Sequence, residues 1–232
     1  MSDPAWLSAA EWSAVVLSLE VGALATIVVA PPGIALGWLL ARRDFPGKIL
    51  VDALVHLPLV LTPVVVGYLL LLAFGRRSPV GAWLAEHGVA IAFAFPGAVL
   101  AAAVVALPLM VRSVRTAVSL VDPGLEQAAA TLGAGPWRRF ATITLPLAMP
   151  GVIAGLVLAF ARSLGEFGAT ITLAGSIPGE TRTLPIAIYG ATQVPDGDAE
   201  AMRLTIVSVV ISVAALVASE AIDRHLRRRA GR

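Results

Sequence analysis

Long apolar runs separated by short polar connections make up most of the chain. A bilayer core about 30 Å thick is crossed by a helix of about 20 mostly apolar residues. Five runs reach this length, and they predict five membrane-spanning helices; a sixth, half-hidden span stays open, although the sequence shows no room for it. The predicted spans are residues 14–40, 49–74, 89–111, 147–173 and 204–222.

Prolines lie inside the first two predicted spans. Pro31-Pro32-Gly33 falls within the first span, and Pro58 and Pro63 fall within the second. A proline in a helix removes a backbone hydrogen bond, and neighbouring helices must satisfy the carbonyl that it leaves free. Two interpretations stay open: kinked helices in a packed bundle, or broken helices beside a transport path.

The composition agrees with a membrane protein and removes several classes of function. Of 232 residues, 58% are hydrophobic and 14% are charged, whereas soluble domains average about 25% charged residues. The chain has no cysteine, its three histidines lack ligand spacing, and its only lysine, Lys48, lies in no phosphate-binding loop. We therefore predict an all-α integral membrane protein, one domain over residues 1–232, with no metal, no cofactor, no catalytic residue and no ATPase activity of its own.

Lysine and arginine are distributed unevenly between the connections. Twelve lie in the connection after the first span, in the stretch 112–146 and in the C-terminal tail, whereas four lie in the connections on the other side. The positive-inside rule then places the N-terminus in the periplasm, and residues 112–146 and the C-terminus in the cytoplasm, of a bacterial inner membrane. The basic tail is interpreted as a topology signal that contacts membrane lipids and not as a nucleic-acid site.

The polar stretch 112–146 carries helix start and stop signals. Asp122-Pro123 predicts a helix start, with aspartate as the N-cap and proline at the first helical position. The alanine-rich helix Leu125–Leu132 is expected to end at Gly133, which favours a left-handed C-terminal cap. Its apolar side predicts that this short helix docks onto a partner.

A second helix is predicted to follow in the same stretch. Gly135 turns the chain, and Pro136 is expected to begin a helix that approaches the membrane. Pro146 and Pro150 are expected to interrupt that helix because neither can donate a backbone hydrogen bond.

The spacing in this stretch resembles the EAA motif of ABC importer permeases, which reads EAA, three residues, Gly, nine residues, Ile-x-Leu-Pro. The resemblance implies a coupling helix that sits in a groove of a cytoplasmic ABC ATPase and carries nucleotide-driven motion into the membrane. Glutamine stands at the glutamate position here, and the preceding glutamate is the candidate to substitute for it. The alternative is an ordinary amphipathic helix on the membrane surface. The implied coupling residues are Glu126, Gln127, Ala128, Ala129, Leu132, Gly133, Ile143, Leu145 and Pro146.

Further segments resemble the molybdate ABC transporter permeases over essentially the whole chain. They are HLPLVLTPVVVGYLLL, ALPLMVRSVR and FARSLGEFGATITLAGSIPGETRTLP. The resemblance implies the fold of a type I ABC importer permease, a homodimer, a partner ATPase and a periplasmic molybdate-binding protein. Sulfate and thiosulfate permeases share the ARxxGEFG core in looser form, and the GETRTLP run and chain length favour molybdate, with tungstate as a chemical near-twin.

Arg162 and Glu166 are the charged residues to weigh within the fourth predicted span. They are four residues apart, so we expect them on one helix face, turned to the bundle interior or to a water-filled path. A structural ion pair and a gate for a tetrahedral oxyanion both stay open. Because Glu166 repels anions, we expect a weak path lined by backbone N–H groups and by Thr62, Thr170 and Thr172.

These features predict the permease subunit of an ATP-driven importer, with molybdate as the favoured cargo. The alternatives are a sulfate or thiosulfate permease, a proton-coupled carrier with Glu166 as the relay, and a membrane scaffold without a transport role.

Overall fold

Helices account for all the regular structure in residues 6–230, the part of the chain that the computed structural model describes; side chains are described for residues 6–217. Twelve helical segments follow one another, and no strand occurs among them. They are α1 Ala9–Arg42, α2 Lys48–Val60, α3 Pro63–Phe74, α4 Pro79–Glu86, α5 Phe95–Ser119, α6 Pro123–Thr131, α7 Pro136–Arg139, a π-helical turn Phe140–Thr144, α8 Leu145–Leu164, α9 Gly168–Ala174, α10 Leu184–Ala191 and α11 Asp198–Ala230.

Three long helices, α1, α5 and α8, form the centre of the bundle. Met110 of α5 is fully buried and lies against Gly33 of α1 and Gly155 of α8. Gly37 of α1 lies against Val114 in the same way. Small residues let helices approach closely in a membrane, where dispersion contacts replace the hydrophobic effect as the main attraction. This packing fixes the frame on which the shorter helices rest.

The proline-containing spans behave differently from one another. Helix α1 is continuous through Pro31 and Pro32, both of which lie on its exposed side. The second predicted span is instead two helices, α2 and α3, bent by 116°. Proline disfavours the helical conformation in the residue before it, and Thr62, which precedes Pro63, is extended. Pro58 lies inside α2 without breaking it.

The third span lies further along the chain than the apolar run indicates. Helix α5 begins at Phe95, six residues after the predicted start at Val89, and runs on to Ser119. Arg112 and Arg115, which we had assigned to the polar stretch, therefore belong to a spanning helix. The independent part of that stretch begins with α6.

The fourth span differs from the prediction in two ways. The prolines do not interrupt it, and it breaks near its far end, within the predicted range 147–173. One helix runs from Pro136 to Leu164, and Pro146 and Pro150 do not interrupt it. The π-helical turn, which ends two residues before Pro146, widens the backbone where the proline ring would crowd the preceding turn. The chain then leaves the helix at Gly165 and re-enters one only at Gly168.

The end of the bundle where α1 begins and α4 lies is called the α4 end. Polar contacts between α1, α10 and α11 stabilise it. Glu11 of α1 is 2% exposed and accepts hydrogen bonds from Ser8 N–H and Arg203. The hydroxyl of Ser18 accepts the N–H of Leu184 at 2.6 Å, which attaches α10 to α1. The opposite end, where α1 and α5 finish, carries α6 and is called the α6 end.

Four helices are long and apolar enough to cross a membrane, and the bent pair α2 and α3 makes five. The expectation of an all-α membrane protein with about five spans is confirmed for the described residues. Helix α11 begins at Asp198, six residues before the predicted span. The side chains of the tail arginines that we counted for topology lie outside the described residues.

Close packing at Gly37 predicts a strong penalty for a single added methyl group. A Cβ at this position would lie 2.7 Å from Val114 Cβ and 3.0 Å from the Val111 carbonyl oxygen. We expect Gly37→Ala to lower stability by about 1–3 kcal/mol, the usual range for overpacking. Thermal unfolding of the detergent-solubilised protein measures this.

Gly190→Ala is the matched control, because no atom lies within 4 Å of its added Cβ. Its unfolding midpoint is expected to equal that of the parent. Equal midpoints for all three proteins would contradict the packing argument at Gly37.

Candidate coupling segment and translocation path

Helix α6 starts and stops at the residues that the local sequence signals specify. Asp122 caps it by accepting the Gly124 N–H at 2.8 Å, and Pro123 occupies the first turn. Gly133 follows with φ of 84°, in the left-handed region that favours glycine. A helix, a left-handed turn and a second helix beginning at Pro136 thus form a compact cap at the α6 end.

Glu126 connects this cap to two spanning helices. Its Oε1 lies 3.0 Å from Nε of Arg42, the last residue of α1, and accepts the Thr144 hydroxyl at 2.7 Å. Arg42 also donates to the Val121 carbonyl at 2.8 Å. Because both charged side chains are largely buried, at 13% and 22% exposure, the ion pair is only weakly screened by solvent. Glu126 therefore faces the bundle and not the exposed side of the cap.

The other side of the cap is apolar and exposed. Leu132 is 87% exposed, Trp137 77% and Leu125 47%, and Gln127 and Ala128 are exposed beside them. Large apolar side chains exposed together on one short segment are typical of a protein interface. Of the other predicted coupling residues, Ala129, Ile143 and Leu145 are half-buried and Pro146 is exposed.

Trp38 and Phe140 brace the cap against α1. Their rings lie 5.5 Å apart edge to face, and the Trp137 ring also lies 5.5 Å from Phe140. Edge-to-face aromatic pairs add about 0.5–1.5 kcal/mol beyond simple burial. A cavity of about 430 Å³ opens beside them, bordered by Arg42, Glu126 and Arg139.

Arg162 and Glu166 form an ion pair, but on a broken helix. Arg162 lies in the last turn of α8, and Glu166 lies in the linker before α9. Arg162 Nη2 is 2.8 Å from Glu166 Oε2, and Glu166 Oε1 accepts the Ala169 N–H at 2.8 Å. Glu166 is 2% exposed. The pair therefore joins the end of α8 to the first turn of α9, and both carboxylate oxygens are engaged.

The three candidate threonines differ in position. Thr62 is exposed at the start of α3, close to the start of α9, where a Cβ on Gly168 would lie 2.9 Å from Pro63 Cβ. Thr172 donates to the Gly168 carbonyl within its own helix. Thr170 is 1% exposed, so it does not line an open path in this conformation.

The GETRTLP run is a compact turn at the α4 end. The Ile177 carbonyl oxygen lies 2.9–3.1 Å from the N–H nitrogens of Glu180, Thr181 and Arg182. The Thr181 hydroxyl accepts the Ile177 N–H in return, and Thr181 is fully buried. The run orders the chain between α9 and α10.

Sequence reasoning missed two sets of polar residues. The first is Arg42, the partner of Glu126, which the sequence interpretation used only as a basic residue in the connection after the first span. The second set lines α2 and α5 at the α6 end and includes Lys48, Asp52, Arg112 and Arg115. Its signal was present, because Lys48, Asp52 and His56 recur every four residues in an otherwise apolar helix.

Known proteins resemble the chain in sequence along nearly its whole length. The molybdenum transport system permease protein ModB of Escherichia coli K12 is 58% identical, over 96% of this chain and 97% of its own. The sulfate transport system permease protein CysW of the same organism is 39% identical, over 81% of this chain and 63% of its own.

A solved structure shares the fold. It is a bacterial alginate ABC transporter in complex with an alginate pentasaccharide-bound periplasmic protein. The likeness has a TM-score of 0.72 at 18% identity and covers 94% of this chain and 80% of the other. The fold is therefore that of an ABC importer permease, as expected.

A family model described as the binding-protein-dependent transport system inner membrane component matches residues 33–231. This match covers most of the chain, including the cap at the α6 end. The chain is a member of the binding-protein-dependent transport system inner membrane component family.

Proposed function

We propose that this chain is the membrane-spanning subunit of an ATP-driven importer that carries molybdate, with tungstate as its chemical near-twin. The observation that carries the cargo is the 58% identity, end to end, with a molybdenum permease, against 39% over a smaller share with a sulfate permease. The chain moves its cargo without bond chemistry. ATP hydrolysis belongs to a separate subunit.

The exposed apolar side of the cap is the proposed docking site for the ATPase. Leu125, Leu132 and Trp137 provide the apolar contact, and Gly133 sets the turn between them. Glu126 is proposed to act differently from a docking residue. Since it holds α1 and the π-helical turn together, it passes the displacement of α6 to two spanning helices.

The α6 end is proposed to face the cytoplasm, with the N-terminus in the periplasm. The support is the excess of arginine in the connections and tail on that side. A periplasmic molybdate-binding protein then delivers cargo at the α4 end, consistent with the description of the family.

The active unit is proposed to be a homodimer with the path between two copies. Helix α2 has no buried residue, and Ile49, Leu50 and Val60 are 86%, 64% and 83% exposed. The bend between α2 and α3 and the break between α8 and α9 lie near each other, as the contact between Pro63 and Gly168 indicates. Broken spans commonly border a substrate path.

The Arg162–Glu166 pair is proposed to hold that break in shape beside the path. A proton relay through Glu166 is disfavoured because Arg162 and the Ala169 N–H each hold one of its carboxylate oxygens, and the side chain is only 2% exposed. Sulfate remains the second candidate cargo, since sulfate permeases are relatives and sulfate has the same shape and charge.

The cargo proposal predicts that the chain restores molybdate uptake. Cells lacking their own permease would express this chain with its cognate ATPase and binding protein, and radiolabelled molybdate uptake would be followed with and without excess sulfate. We expect uptake to recover with little competition by sulfate. Full competition, or uptake of sulfate itself, would assign the chain to sulfate.

The docking proposal predicts that Gly133→Pro abolishes binding of the ATPase while the protein still reaches the membrane. Proline fixes φ near −65°, and the native φ is 84°, so the turn after α6 cannot form. Co-purification with the tagged ATPase measures this. Gly135→Ala, with φ of −67° and no neighbour within 4 Å, is the control and should bind normally; normal binding by Gly133→Pro would refute the docking site.

The proposed role of Glu126 predicts that Glu126→Gln separates docking from transport. The variant keeps an acceptor for Thr144 but loses the ion pair to Arg42, a largely buried contact worth about 1–3 kcal/mol. We expect the ATPase to co-purify as before, with molybdate uptake per ATP hydrolysed falling about tenfold. Arg42→Gln should give the same loss, and the double variant should be no worse than either one. Additive losses would show that the two residues act separately.

A further inference from the structure

A polar groove lies at the α6 end between the end of α1 and the facing sides of α2 and α5. Its volume is about 560 Å³. Neither the cap nor the Arg162–Glu166 break contributes a residue to it. Its polar lining includes Lys48, Asp52, His56, Arg112, Arg115 and Thr116.

Two polar stripes build this groove. Lys48, Asp52 and His56 follow one another at four-residue intervals on α2, and Arg112 and Arg115 stand one turn apart on α5. The stripes face each other, because Arg115 Nη1 lies 2.8 Å from Asp52 Oδ1. Ionisable side chains on a spanning helix are costly unless they meet water or a partner. The contact between Asp52 and Arg115 satisfies part of this requirement, and the open groove leaves room for water or an anion beside the other charges.

The groove has an excess of positive charge. Asp52 pairs with Arg115 and lies 3.3 Å from His56 Nδ1. Lys48 donates to Asp44 at 2.8 Å and so holds the pKa of that carboxyl below its usual range. Three cations thus meet two carboxylates.

Arg112 is the third cation of the groove, beside Lys48 and Arg115. It forms no ion pair with any residue whose side chain the structure describes, and it is exposed, bordering this groove and a second, mostly apolar cavity beside α8. Thr116 lies one turn further along α5 and adds a hydroxyl. A guanidinium fork with a nearby hydroxyl and two further cations suits a small anion with several oxygens.

We propose that this groove is a weak binding site for a free tetrahedral oxyanion, held mainly by Arg112 and supported by Arg115, Lys48 and Thr116. This inference rests on the proposed function, which supplies such an anion to the α6 end. Asp52 and Asp44 keep the site weak because each competes with the anion for a cation. Weak binding is what an exit site needs, since cargo must leave as readily as it enters.

Lys48 gives the site its own reporter, because it is the only lysine in the chain. Reductive methylation of the full chain with ¹³C-formaldehyde labels Lys48 and the terminal amine, and the dimethylated lysine keeps its charge. Sodium molybdate would be titrated into the labelled protein in phospholipid-free detergent at constant ionic strength, and the Lys48 resonance followed by NMR.

We expect a saturating shift of the Lys48 resonance with a midpoint in the millimolar range. Arg112→Gln should raise that midpoint about tenfold, the effect of losing one charge-assisted hydrogen bond. Arg43→Gln is the matched control, because it removes the same charge from the same end of the bundle outside the groove. Its midpoint should stay that of the parent.

Several outcomes would overturn the proposal. They are a shift that chloride reproduces at equal concentration, a shift that never saturates, or an equal loss of affinity in Arg112→Gln and Arg43→Gln. A lipid phosphate is tested in nanodiscs: if phosphatidylglycerol alone brings the resonance to its saturated position and molybdate adds nothing, the groove holds a lipid headgroup and the free-oxyanion site is refuted.

The titration separates this inference from the proposed function. Normal molybdate uptake in cells without a saturating shift refutes the groove site alone. A saturating shift with molybdate, together with uptake of sulfate only, refutes the molybdate importer and leaves the oxyanion site standing.

Discussion

The packing of Met110 between two glycines is the contact on which the rest of the molecule depends. In lipid no hydrophobic effect drives helices together, so the bundle is held by close approach and by polar contacts. Met110 fills the space that Gly33 and Gly155 leave open, and its own exposure is zero. With α1, α5 and α8 fixed in this way, the remaining segments need only short contacts to be placed.

The sequence predicted where the chain is apolar much better than where its helices break. Pro63 breaks a span, whereas Pro31, Pro32 and Pro146 do not. The difference lies in the surroundings: Pro31 and Pro32 are on an exposed side of α1, and the π-helical turn relieves crowding before Pro146. The break at Gly165 escaped hydropathy because α9, which follows, is itself largely apolar.

The helix boundaries of the candidate coupling segment were the most predictable part of the candidate site, since their signals are local. Asp122, Pro123 and Gly133 act on backbone groups within a few residues of themselves. The orientation of Glu126 was not predictable, because its partner Arg42 is distant in sequence and the two meet only when α1 and α5 are packed. The polar stripes of α2 and α5 needed the same tertiary information. Each stripe alone is a few polar residues on an apolar helix.

The unbroken helix from Pro136 to Leu164 makes the α6 end mechanically continuous with the Arg162–Glu166 break. Its 29 residues correspond to a rod about 44 Å long, at about 1.5 Å per residue. A rod of that length converts a tilt of about one degree at one end into a displacement of about 0.8 Å at the other. The base of the rod is the aromatic cluster around Phe140, and its tip is the Arg162–Glu166 junction. The molecule thus holds a stiff rod, and the ion pair at its tip sets the direction in which the chain continues into α9.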